Sequence, residues 1–385
     1  MIYLDSNATT QVDPMVLDAM LPFLRGAYAN PSASYQSARG VRSALESARQ
    51  PVAAMIGAAR VDEVIFTSCG TESINTAHQS VRHLWPDRAG LVLAGTEHAA
   101  GIECAKRWRE SGGRVTEVPV TQQGRVDLAV LEQALATGDT ALVSIMWANN
   151  ETGVIAPMRE VVELAHAAGA LVHCDAVQAV GKIPVDVQAV PVDFLSLSGH
   201  KLHAPKGVGA LYASSRVRLR PLLVGGGQEK GRRSGTENVA SIVGLGAAAA
   251  LTMAEHGVSR LRDGFEDRVM AGLSDTIIFG DRAHRLPNTS CLGFPGMDAA
   301  GLLILLDEAG VCCSAGSACH TASLHPSHVL EAMGVSAAVA SGMLRFSFCR
   351  FNTPEEAATA AAAVIRAVEK MRALKDDASG PVAFS

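Results

Sequence analysis

Between residues 64 and 198, short runs of Val, Ile and Leu alternate with segments of helical periodicity, and this alternation narrows the fold more than any other feature. Val64–Thr67, Gly90–Ala94, Ala141–Met146, Ala170–His173 and Asp193–Ser196 read as buried strands. Ser73–Leu84 and Met158–Ala168 read as helices between them. Apolar strands alternating with helices imply an α/β fold, with a large, mostly parallel sheet covered by helices on both faces. Such sheets bind ligands at the carboxyl ends of their strands. The motifs that could carry chemistry fall just after these runs.

A chain of 385 residues is long for one core, and the pattern changes in its last third. An alanine-rich helical stretch from Ser241 to about Glu266 reads as a connector. After it come shorter strands (Cys291–Phe294, Leu344–Ser347) and helices (Ala299–Glu308, Pro354–Leu374), which imply a smaller α+β unit. The expected division is a large unit over 14–255 and a small one over 1–13 and 256–385. The tail from Asp376 to Pro381 is expected to fray, and Tyr3–Thr10 to form part of an active-site rim.

A formal charge of −5 with 4% aromatic residues supplies neither a basic footprint nor stacking platforms for nucleic acid. No basic, apolar leader and no membrane-length apolar run is evident, so a cytoplasmic protein without membrane contact is expected. Its 8 cysteines are then expected to be reduced; they include no Cys-x-x-Cys pair, and no metal site is expected.

Two distant segments point to a chemistry. Ser198-Gly199-His200-Lys201 sets a lysine at a strand-end turn, followed by Pro205 and Gly207. Such a lysine, partly desolvated, can form a Schiff base with a carbonyl cofactor. Gly316-Ser317-Ala318-Cys319 sets a cysteine among small residues, ahead of a polar run, as a candidate thiolate nucleophile. Asp175 ends another apolar run, where a carboxylate could keep a pyridine nitrogen protonated or could simply cap a helix. Gln178 and Asn150 could hydrogen-bond a ring hydroxyl.

Gly70 and Thr71 open a helix whose backbone N–H groups make an anion cradle. Ser198 and His200 could close that cradle. The basic, glycine-rich stretch Gly225–Thr236 has similar character, or is a surface loop. His98 follows a strand and could stack on a cofactor ring and move protons. Arg345, on an otherwise apolar strand, needs a partner, and a substrate carboxylate with help from Asn30 would serve. Cys312, Cys313 and Cys349 lie in more apolar contexts and read as packing residues.

In combination, Gly70-Thr71-Glu72-Ser73, Thr96-Glu97-His98, Asn149-Asn150-Glu151, Asp175-x-x-Gln178, Ser198–Lys201, Arg233–Thr236, Gly316–Cys319 and Arg345-Phe346-Ser347 resemble the cysteine desulfurases of the NifS/IscS type, within the class V aminotransferase family. The resemblance runs from Tyr3 to about Leu374. It implies a fold-type I pyridoxal 5'-phosphate (PLP) homodimer, with Thr236 reaching the phosphate in the neighbouring subunit. It also implies conversion of L-cysteine to L-alanine, with sulfur left on Cys319 as a persulfide for an acceptor protein such as an iron–sulfur assembly scaffold. Lys201 and His98 would then be the proton-transfer residues. Cys69 and Cys174 depart from the family pattern and bring extra thiols near the cofactor. His320 after Cys319 resembles selenocysteine lyases, which remain the alternative activity. A non-catalytic binding subunit is opposed by the joint presence of Lys201, Asp175, His98 and Cys319.

Overall fold

The computed structural model describes residues 1–252, 257–316 and 327–378. In chain order the elements begin with β1 (Ile2–Tyr3), α1 (Pro14–Arg25), α2 (Gln36–Met55), β2 (Val64–Thr67), α3 (Gly70–Leu84), β3 (Gly90–Ala94) and α4 (Ala99–Glu110). There follow β4 (Arg114–Val118), α5 (Leu128–Leu135), β5 (Thr140–Met146), α6 (Met158–Ala167), β6 (Leu171–Asp175), β7 (Phe194–Ser198) and β8 (Gly209–Ala213). The remainder is α7 (Val239–Leu251), α8 (Val258–Gly272), β9 (Ile277–Ile278), β10 (Thr289–Gly293), α9 (Ala299–Glu308) and β11 (Val311–Cys312). It ends with α10 (His328–Ala332), α11 (Ala337–Ala340), β12 (Met343–Ser347) and α12 (Pro354–Ala378).

Seven strands form one sheet in the order β2-β8-β7-β6-β5-β3-β4. The run from β4 to β7 is parallel, and β8 pairs antiparallel with both β7 and β2. The central strands β5, β7 and β8 are buried at every position. Alternate residues serve opposite faces. Val143, Ile145, Val172, Leu195 and Leu197 join the apolar cluster that contains α2 and α7 residues. Leu142 and Phe194 join a second cluster with Ala77 and Val81 of α3 and Trp108 of α4. Apolar runs without alternation are what a sheet covered on both faces requires.

The second region pairs β12-β10-β9 antiparallel and β1 with β11 in parallel. Its core gathers Leu4 with Phe265, Phe294, Phe346, Phe348 and Val364. The N-terminal strand therefore joins elements from the far end of the chain.

Two expectations are corrected. The helical pattern from Ser241 to Glu266 is two helices, α7 and α8, rather than one connector. Gly257 precedes α8 at φ +102°, a left-handed conformation that a continuous α-helix does not contain, so the helix must restart there. At the C-terminus the backbone of Asp376–Ala378 remains helical, as the last turn of α12, instead of fraying; the residues beyond lie outside those described.

Candidate active site

A cavity of about 230 Å³ opens where β5, β6 and β7 end beneath the start of α3. Gly70, Thr71, His98, Asn150, Asp175, Gln178, Ser198, His200, Lys201 and Arg345 all line it, although their positions span 275 residues of chain from 70 to 345. Asn7 and Ala8 complete the rim on the side of the N-terminal segment.

The first wall is the start of α3. Its N-cap, Cys69, makes no side-chain capping bond, so the first-turn N–H groups are left for a ligand. Gly70 lets this terminus approach the residues after β6, since a Cβ there would lie 2.6 Å from Val177 Cγ2. Arg233 sits behind the turn, 2.8 Å from Glu72 in an ion pair.

Lys201 occupies the turn after β7, where its Nζ donates to the carbonyls of Asn7 (2.6 Å) and Ala8 (2.7 Å). His200 beside it bonds Thr9 Oγ1 through Nδ1 at 3.1 Å. Burial, with Lys201 and Lys206 nearby, lowers the His200 pKa to about 4, so its ring is neutral at pH 7.

Asp175, the last residue of β6, accepts the Val177 N–H at 3.0 Å. Burial pushes its pKa up, while the charges of His98 and Lys201 pull it down. A buried carboxylate in this position is stabilised by a cationic N–H brought into the cavity. His98 is the N-cap of α4, and its Nδ1 accepts the Ala100 N–H at 3.1 Å. That bond assigns the proton of the neutral ring to Nε2.

Arg345 on β12 is fully buried. Its Nη2 meets Asp5 Oδ1 at 2.7 Å and its Nη1 donates to the Asn150 carbonyl at 3.0 Å. Its Nε is buried with no hydrogen-bond partner among the described residues. A buried guanidinium N–H left unpaired is costly and marks a place for an incoming acceptor.

Other expected residues are placed differently. Gln178 Nε2 donates to the Asn7 carbonyl at 3.0 Å. Asn30 is exposed and does not line this cavity; its Oδ1 accepts the Ser32 N–H at 2.9 Å and shapes the local turn. Thr236 is exposed, beside Arg233 and Gly235, on a separate concavity. The Gly225–Thr236 stretch is tied to the body of the protein through Glu229, whose carboxylate meets Arg49 at 2.6 Å and 2.9 Å. Cys319 and His320 lie outside the described residues.

Among the described residues seven cysteines are free thiols. Burial pushes Cys174 and Cys313 well up from the ordinary thiol value, which disfavours a thiolate at either. Cys69 lines the cavity.

Sequence reading alone did not find Asp5 as the partner of Arg345, or the carbonyls of Asn7 and Ala8 as the acceptors of Lys201. It also missed Glu97, a fully buried carboxyl that accepts the Met146 N–H at 2.9 Å and whose pKa burial raises. A Thr-Glu-His run directly before α4 was the available signal.

A lysine, a buried carboxylate and an uncapped helix start on three walls of one cavity match the needs of a phosphorylated pyridine aldehyde. The Aminotransferase class-V family model matches residues 2–359. The chain belongs to this family. It is 45% identical to a cysteine desulfurase of Nostoc sp. over 98% of this chain and 96% of that protein. It is 46% identical to the cysteine desulfurase NifS of Azotobacter vinelandii, over 92% of this chain and 89% of that one. A solved NifS-like protein superposes with a TM-score of 0.88 at 37% identity, covering 97% and 99% of the two chains. These relatives place the chain among the PLP-dependent cysteine desulfurases, with their α/β fold-type I architecture. They lend nothing to the selenocysteine lyase alternative. Among the described residues no helix is long and apolar enough to cross a membrane.

Proposed function

We propose that this cavity holds PLP on Lys201 and that the chain takes sulfur from L-cysteine through Cys319, releasing L-alanine. The observation that carries the reading is the convergence of Lys201, Asp175 and the uncapped start of α3 on one cavity. When bound, PLP supplies an electron sink for the negative charge that develops beside the substrate α-carbon.

The chain's own groups do the rest. The N–H groups of Gly70 and Thr71, with Ser198 and His200, bind the phosphate. Asp175 holds a proton on the ring nitrogen. Asn150, Gln178 and His98, which line the same cavity, would help hold the ring. Arg345 takes the substrate carboxylate at its Nε edge, which has no hydrogen-bond partner among the described residues. The Lys201 amine moves the α-proton, and His98 delivers and removes protons through Nε2. The Cys319 thiolate attacks the substrate sulfur; an S–S bond forms as the C–S bond breaks. The bonding pair stays on the substrate carbon, which takes a proton and leaves in alanine.

The working unit in this reading is a homodimer, in which Thr236 of one copy reaches the phosphate held by the other. Residues 14–255 form the PLP-binding domain, and 1–13 with 256–385 the small domain. The protein acts in the cytoplasm and passes its persulfide to a sulfur-acceptor protein, in iron–sulfur cluster assembly or another sulfur pathway.

Alanine release from L-cysteine, with reductant present, tests the core of this reading. The wild type should release alanine, and Cys319→Ala should fall to about 1% or less of it. Equal release by both would remove Cys319 from the reaction.

A further inference from the structure

Behind the cavity wall, a turn of chain sets a second lysine against Gln178. After β6, Val180 N donates to Ala176 O (3.0 Å) and Ile183 N to Ala179 O (3.1 Å). This is the spacing of a helical turn, and it brings residues 178 and 182 to one side. Lys182 Nζ donates to Gln178 Oε1 at 2.5 Å and to Asn7 Oδ1 at 2.8 Å. Gly181 lets the turn pack against the one that carries Lys201: its φ is +77°, and a Cβ there would lie 2.5 Å from Leu202 Cδ2. Gln178 and Asn7 line the cavity, whereas Lys182 is not among the described residues that line it.

These neighbours fix which way both amides face. An ammonium only donates, so the Gln178 atom that meets Lys182 is its oxygen. The Asn7 carbonyl only accepts, so the Gln178 atom 3.0 Å from it is Nε2. One of the two Nε2 hydrogens goes to Asn7, and the second is left for an acceptor in the cavity. Asn7 is buried, and its side chain is fully engaged. Its Oδ1 accepts from Lys182 and from Asn288 (3.1 Å), and its Nδ2 donates to Asn150 O (3.1 Å) and Thr289 Oγ1 (2.9 Å). The main-chain carbonyl of the same residue accepts from both Lys201 and Gln178. Lys182 therefore bears on two residues of the cavity wall, and through Asn7 on Lys201.

We propose that Lys182 is a positioning residue for PLP, acting through the Gln178 amide with Asn7 as its bridge to Lys201. This role rests on the proposed placement of PLP on Lys201 beside Gln178. Together with the Asn7 carbonyl, Lys182 keeps the Gln178 amide from turning over, so that an N–H rather than an oxygen is offered to the ring hydroxyl of the cofactor. The ammonium also polarises that amide and strengthens its N–H as a donor. Both effects favour negative charge on the ring oxygen. A cation bound to Asn7 further disfavours a proton on the nitrogen that joins PLP to Lys201. Loss of Lys182 should therefore weaken PLP binding and raise the pH at which that proton leaves, which the visible absorbance of bound PLP reports.

The test reloads the full-length apoprotein with PLP, in the wild type, Lys182→Met, Lys182→Arg, Gln178→Leu and the double variant Lys182→Met with Gln178→Leu. Three quantities are read: the PLP dissociation constant, the pH midpoint of the visible absorbance, and urea unfolding of the apoprotein. Lys182→Met should weaken PLP binding about tenfold. It should also raise the absorbance midpoint by about half a pH unit. Lys182→Arg keeps the charge and the donors, and should keep both quantities near wild type. In the Gln178→Leu background, Lys182→Met should change PLP affinity by less than about twofold, because the amide it acts on is gone. The full tenfold loss in that background overturns action through Gln178. Wild-type affinity and midpoint in Lys182→Met, with borohydride fixing PLP to Lys201, overturn the role of Lys182 alone. Fixation at another lysine overturns the placement of PLP and the role of Lys182 with it. Lower apoprotein stability in Lys182→Met with an unmoved midpoint makes Lys182 a structural residue and overturns its positioning role.

Discussion

Two polar groups lie on the same face of the central sheet, one below the other, and they behave oppositely. The lower is a closed chain: His78 Nε2 bonds Ser144 Oγ at 2.9 Å, Ser144 Oγ bonds His173 Nδ1 at 2.8 Å, and His173 Nε2 bonds Ser196 Oγ at 2.9 Å. The upper is the cavity group of Asp175, Lys201 and His98. Ser144 and His173 stand two residues before Met146 and Asp175 on paired strands, hence on the same face. In the lower chain burial takes His78 to about 4 and His173 well below its ordinary value, so both rings are neutral. His78 Nδ1 has no partner among the described residues. A bare lone pair there costs less than a bare N–H, which puts the His78 proton on Nε2 and runs donation from α3 toward β7. The contrast teaches that buried polarity alone does not mark a site. The lower chain pairs its N–H and O–H donors along its length and leaves only the His78 Nδ1 lone pair bare, whereas the upper group leaves charge facing a cavity.

The comparison predicts different failures. Lys201→Ala should have the largest effect: alanine release should fall by about a thousandfold or more, and borohydride should no longer fix the cofactor to the protein. A variant that borohydride still labels with cofactor would place the anchor on another lysine. Next come Asp175→Asn and His173→Leu, read together. Asp175→Asn should lower kcat about a hundredfold with unfolding stability nearly kept, because it removes the charge but keeps the shape. His173→Leu should do the reverse. It strands the hydroxyls of Ser144 and Ser196, costing about 2–4 kcal/mol in urea unfolding, while kcat stays within about threefold. A hundredfold loss of kcat in His173→Leu at ordinary stability would erase the distinction between the two groups.

Much of the upper group was legible in the sequence, because short motifs at strand ends name both the residue and its place. Lys201, Asp175, His98 and Thr71 each stand at or within a few residues of the end of an apolar run, and the sheet topology carries all of those ends to one edge. The strand core was legible for the same reason. The contacts of Asp5 with Arg345 and Ser314 were not, since they join the two ends of the chain and no spacing rule brings residue 5 to residue 345. The lower chain was hidden differently. Its members are isolated polar residues inside strands that otherwise read as apolar, and only the pairing register shows that they align. Asn30 and Thr236 were singled out from motifs yet lie off the cavity in one chain, and the proposed second copy is what would bring Thr236 to it.

The smallest expected effect concerns pH, and it sharpens the comparison by sign. His78 titrates near 6.5 when unfolded and near 4 when folded. Between these values the unfolded chain binds more protons, so the His78 contribution is fully present above pH 6.5 and is lost as pH falls toward 4. From pH 7 to pH 5 the loss is about 2 kcal/mol. Glu97 and Asp175 act in the opposite sense, because burial raises their folded values and neutralising them at lower pH relieves the folded state. The wild-type slope is thus a difference between the two groups, and the separable quantity is its change in His78→Phe. Urea unfolding at pH 7 and pH 5 should show the variant losing about 2 kcal/mol less than the wild type on acidification. Parallel losses would mean that the imidazole of His78 is not held neutral by its surroundings, and that the lower chain is open to protons in the way the upper one is.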